Sequence, residues 1–136
     1  MRTQVRAAAV LGVLLPMLET MRRGGLGHWL VDFTTMFDDY FAGALLLASG
    51  WLAQRGRAYA KYCLLAAFAY ASGMMNSSFL GQIEVTLRGH PEPHNTATLV
   101  FKGVMWGMAV VGLVLSFRYL LATSVRVARS DPPPSR

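Results

Sequence analysis

The sequence predicts an all-α integral membrane protein built as a bundle of four transmembrane helices. Three observations lead there. Hydrophobic residues make up 54% of the 136 and charged residues only 15%, a balance that suits a membrane bundle better than a soluble domain. Four apolar stretches follow one another, at about 5–21, 34–53, 62–81 and 97–121, joined by short polar, Gly-rich or Pro-rich links. The basic residues also sort by side: with four spans, nine fall at the end that carries both termini and four at the other. Under the positive-inside rule that asymmetry puts both termini in the cytoplasm, and the expected home is the bacterial inner membrane. Residues 1–124 form the membrane domain, and the basic, proline-rich stretch 125–136 reads as a disordered cytoplasmic tail lying near lipid headgroups.

The first span resembles a secretory signal, with Arg2 and Arg6 before an apolar core. It ends in Glu19-Thr20-Met21-Arg22-Arg23, which lacks the small-x-small pattern that cleavage requires, so it reads as an uncleaved helix. Pro16 should kink it or loosen its last turns. Gln4, Ala8, Leu11, Leu15 and Glu19 recur at helical spacing, which directs Glu19 into the bundle.

After Gly24, Gly25 and Gly27, the second span is entered through a polar stripe of His28, Asp32, Thr35 and Asp39. Its wholly apolar part, 40–53, has fourteen residues, whereas a crossing needs about twenty. The span must therefore begin near Phe33 or Thr34, which draws Asp38 and Asp39 about one turn below the hydrocarbon edge. Two carboxylates there cost several kcal/mol unless protonated, paired or facing water. The pattern leaves open whether 28–36 lies along the surface as an interfacial amphipathic helix or continues one long tilted helix.

The third span follows Arg55, Arg57 and Lys61 and ends in GMMNSSFLGQIE, whose Asn76 and Ser77 can hydrogen-bond across helices. Pro91 and Pro93 break the next link. In the fourth span Thr98, Lys102, Trp106 and Ala109 share a face, and Gly103 and Gly107 form a GxxxG motif around the helix from it. That motif would serve either internal packing or a homo-oligomer or membrane-protein partner. The single cysteine, Cys63, excludes an intrachain disulfide and reads as a small buried hydrophobe. Met74 and Met75 read as core filler.

The candidate chemistry collects at the end away from the termini. Asp38, Asp39, Asn76, Ser77, Glu84 and Lys102 lie at comparable depth by rise counting, and Glu19, Asp32, Thr35 and Trp106 extend the same region. The expected arrangement sets Lys102 opposite a carboxylate, either locking helix order or lining an outward-facing polar pocket. Such a pocket would bind or pass a small ion, a proton or a polar headgroup, or dock a partner subunit. A weaker pattern offers a divalent metal site from His28, Asp32, His90 and His94; no cofactor is otherwise expected. The alternative function is a membrane enzyme acting on a lipid or quinone-like substrate, with an outer carboxylate as acid or base. The net charge of +6 does not indicate nucleic-acid binding, because the basic residues follow the membrane pattern and do not interleave with stacking aromatics. Neither GxGxxG nor GxxxxGK[ST] occurs, which argues against a nucleotide site.

Overall fold

A computed structural model describes residues 1–22, 33–88 and 95–130. They form four helices: α1 (Arg2–Arg22), α2 (Phe33–Gln54), α3 (Ala60–Leu87) and α4 (Asn95–Ser130). No strand occurs among the described residues. Arg2–Met21, Ala60–Leu87 and Thr96–Val125 are each long and apolar enough to cross a membrane, which places the chain among helical membrane proteins. α2 falls short of that measure, as its short apolar part and the paired aspartates near its start require. Helix α4 continues to Ser130, into the stretch expected as a tail. Residues 126–130 contain none of the prolines, which begin at Pro132 and end the pattern.

Consecutive helices pack antiparallel, and α1 closes the ring against α4. The α1–α2 seam runs from Ala8 beside Gly50 to Thr20 beside Tyr40. At its centre the backbones meet. A methyl group on Gly43 would stand 2.8 Å from the carbonyl oxygen of Gly12 and 2.9 Å from Cδ of Pro16. Pro16 has no amide hydrogen to give the Gly12 carbonyl its intrahelical bond. That oxygen stands on the side of Gly43 where a side chain would be, a close approach that only a residue without one permits. Helix α1 runs unbroken through Pro16.

The α2–α3 link is short because Gly56 reverses the chain at φ +67°. The Arg57 amide donates to Leu52 O and the Gly56 amide to Ala53 O, each at 3.2 Å, the two bonds of a Schellman C-cap. Arg55 lies over the Trp51 ring at 4.1 Å, a cation–π contact.

In the α3–α4 seam the ring of Phe68, fully buried, lies on Gly112. Farther along, Phe79 lies against Gly103 and stacks on Trp106 with ring centroids 5.5 Å apart. Of the GxxxG pair, Gly103 thus packs internally, whereas a methyl at Gly107 would meet nothing within 4 Å. The interior is made of Ala8, Leu11, Leu15, Leu46, Leu64 and Phe68, with small residues between them. The outward faces are apolar too: Val100, Val104, Val111, Val114 and Leu121 of α4 are all exposed. Apolar residues both inside and outside are what a bilayer demands of a helix.

Candidate functional site at the acidic end of the bundle

The core-facing stripes of α1 and α2 both end in carboxylates. On α1, Gln4, Ala8, Leu11, Leu15 and Glu19 are all buried, and Glu19 is only 6% exposed. On α2, Ala42, Leu46 and Ser49 are buried, and Asp39 continues that face one step toward the helix start, partly buried. The antiparallel register of α1 and α2 brings these ends to one level. Thr20 and Tyr40, the chain neighbours of Glu19 and Asp39, touch there at 2.6 Å. The Thr20 hydroxyl donates to Pro16 O at 2.7 Å, so its one proton is used and Tyr40 must donate to Thr20 Oγ1.

Helix α3 adds a second phenol. Tyr70 donates to Asp38 Oδ1 at 3.2 Å and meets the Phe41 ring edge-on, with centroids 5.4 Å apart. Phe37 stacks on Phe41. One end of the α1–α2–α3 core therefore holds three carboxylates, two phenols and a threonine hydroxyl, walled on one side by aromatic rings. The side-chain polar atoms of these residues are all oxygens, which suits a proton or a cation held by fewer than three carboxylates, since no three of the described acids are grouped as a metal site.

The other residues expected at this end fall on a different part of the bundle. Buried residues of α3 stop at Met75, and none from Asn76 to Arg88 is buried. Asn76 and Ser77 are exposed there. Lys102 donates to Gln82 Oε1 at 3.3 Å and reaches Ser78 O at 3.5 Å. Trp106, on the same face of α4 as Lys102, stacks on Phe79. Glu84 forms an ion pair with Arg88 one turn on, both exposed by more than half. Counting along α3 from Tyr70 to Ser78 and Gln82, the Asp38 contact and the Lys102 contacts are about 12–18 Å apart in rise. The expected single cluster is thus distributed over two levels, because α2 meets α3 nearer its start than equal helix depth would place it. Thr35 lies in the first turn of α2. His28, Asp32, His90 and His94 lie outside the described residues, and among the described residues no group of three or more His, Cys, Asp or Glu could hold a metal ion.

Thr20, Tyr40, Tyr70 and Gln82 were not among the residues singled out by pattern. One signal was available for the tyrosines. A phenol in an apolar helix needs an acceptor, and the nearest polar positions at that end are the aspartates of α2. The exposed Glu84–Arg88 pair has little energetic weight. Glu84→Gln is expected to change stability by less than about 0.5 kcal/mol, as surface i,i+4 pairs do, read as an unshifted thermal midpoint in detergent.

Compared with known protein families, with curated proteins and with solved structures, the chain finds no match.

Proposed function

We propose that this is a four-span membrane protein that binds a proton or small cation at its acidic end. The observation that carries the reading is Glu19, a carboxylate 6% exposed at the level of Asp38 and Asp39. Acidic side chains are rare inside membrane bundles and, with neighbouring hydroxyls, are the usual means of holding ions and protons there. The gathering of Glu19, Asp38 and Asp39 beside Thr20, Tyr40 and Tyr70 supports a binding role. Helix α2 crosses alongside α1, whose seam it follows from Gly50 to Tyr40. The positive-inside rule then sets both termini in the cytoplasm and the acidic end outward.

The test compares thermal unfolding of the detergent-purified protein in sodium chloride and in choline chloride at equal ionic strength, across pH. A cation at a hundred times its dissociation constant stabilises the folded state by about 2.7 kcal/mol, so the midpoint rises in sodium or with protonation. Glu19→Gln and Asp39→Asn remove that dependence while the protein still accumulates in the membrane. Midpoints equal in both salts, with a pH dependence that Glu19→Gln and Asp39→Asn leave unchanged, would sink the reading. Orientation is checked separately, with Cys63→Ala as background. A membrane-impermeant thiol reagent added to intact cells is expected to label a cysteine placed at Glu92 and not one placed at Gly56. The reverse pattern would invert the topology.

A further inference from the structure

The end opposite the acids carries cations without anions. Among the described residues the acids are Glu19, Asp38, Asp39 and Glu84, at the finish of α1, the start of α2 and the finish of α3. Arg55, Arg57 and Lys61 crowd instead into the corner where α2 gives way to α3. No side chain of the three has an ion-pair or hydrogen-bond partner among the described residues. The fold fixes the shape of this corner. The Gly56 turn and its two amide bonds satisfy carbonyls of the last turn of α2. The first turn of α3 is the opposite case: its N-cap, Tyr59, supplies no side-chain hydrogen bond, and the turn contains no acidic residue. The positive end of that helix dipole therefore adds to the three side chains.

Aromatic rings stand among these cations. Trp51, Tyr59 and Tyr62 are each more than half exposed. Arg55 lies over the Trp51 ring at 4.1 Å and Lys61 over the Tyr62 ring at 5.2 Å. A cation held on a ring is placed in advance, and its N–H donors stay available to an oxyanion. Exposed Trp and Tyr at the end of an apolar span mark the level of the lipid headgroups. At that level a phosphate carried by a lipid is concentrated beside the corner, whereas a free phosphate is not. The charge of the lipid follows from the missing acids. Phosphatidylcholine and phosphatidylethanolamine bring a cation along with their phosphate, and no described carboxylate lies at this corner to receive it. We propose that the α2–α3 corner is a docking surface for anionic phospholipid, with the phosphate of a phosphatidylglycerol-like headgroup held by Arg55, Arg57 and Lys61. The surface rests on nothing at the acidic end, and either reading can fail alone.

The experiment equilibrates the full chain in mixed micelles of phosphatidylglycerol and phosphatidylcholine with identical acyl chains, captures it, and quantifies the lipid that stays bound. Each basic side chain that meets the phosphate is expected to favour phosphatidylglycerol about fivefold. Arg55→Gln and Arg57→Gln should therefore each lower the wild-type ratio about fivefold. Arg118→Gln is the control. It removes the same charge from the same end of the bundle, outside the corner, and should lower the ratio less than about twofold because salt screens it. All three positions are exposed, so the thermal midpoints of the variants should match that of the wild type. Equal retention of the two lipids by the wild type would overturn the proposal. So would an Arg118→Gln loss as large as that of Arg55→Gln, which would show a diffuse basic collar and no corner site. Sodium phosphate, compared with sodium chloride at equal ionic strength, should leave the ratio in place. A ratio abolished by phosphate alone would assign the corner to a free oxyanion and overturn the lipid.

Discussion

Gly43→Ala is expected to destabilise the protein by about 2–3 kcal/mol, the upper part of the range for forcing a methyl into a packed seam. The new carbon would lie 2.8 Å from the Gly12 carbonyl oxygen and 2.9 Å from the Pro16 ring. Neither is the end of a flexible side chain, so relief requires α1 and α2 to separate along the seam. Separation also strains the Tyr40–Thr20 hydrogen bond less than one turn away, which couples the seam to the acidic end. Gly107→Ala is the matched control: its methyl meets nothing within 4 Å, and the substitution should leave stability unchanged or raise it slightly. The two are compared by thermal unfolding in the same detergent. Should Gly43→Ala match Gly107→Ala, the close approach is not a constraint, and the argument that α2 crosses beside α1 loses its support.

Gly112 and Phe68 are expected to behave as one unit. A methyl on Gly112 would lie 2.2, 2.5 and 2.6 Å from three atoms of the Phe68 ring, and that ring is fully buried with no solvent side to turn toward. Gly112→Ala alone should cost about 1–3 kcal/mol through overpacking. Phe68→Ala alone should cost about 3–5 kcal/mol through the cavity it leaves. In the double variant the methyl enters the space the ring vacates, so the combined loss should fall short of the sum by about 1 kcal/mol or more. Strict additivity in a thermal or denaturant series would show that the two residues do not share a packing site.

Much of the architecture is readable from residue order. The four helices follow from four apolar stretches and the Gly and Pro links between them. The inward face of the first helix follows from the recurrence of Gln4, Ala8, Leu11, Leu15 and Glu19, all five of which are buried. The site was legible only in part. Asp38, Asp39 and Glu19 stood out because a carboxylate in an apolar helix is costly wherever it points. Tyr70 did not, because a tyrosine among LLAAFAYA looks like filler until its acceptor is known. Rise counting set Asp38, Asn76, Glu84 and Lys102 at one depth by assuming that every helix starts and ends level with its neighbours. The actual register of α2 on α3, fixed by Phe41 and Asp38 against Tyr70, departs from that assumption.

The glycines show the same division from the packing side. The GxxxG of the fourth helix is conspicuous in the sequence, yet among the described residues only Gly103 of the pair would bring an added methyl against a neighbour. Gly12 and Gly43 form no motif within either helix and nonetheless bring two backbones together. Sequence by itself determined that this chain is helical and membrane-compatible, and which residues carry polar groups into apolar surroundings, because hydrophobicity and helical periodicity are properties of neighbours along one chain. Tertiary structure alone decided which glycines touch, which hydroxyl serves which carboxylate and how the polar residues divide between levels. Those outcomes depend on interhelical register, and register is set by the fit of side chains from different helices, which no single stretch contains.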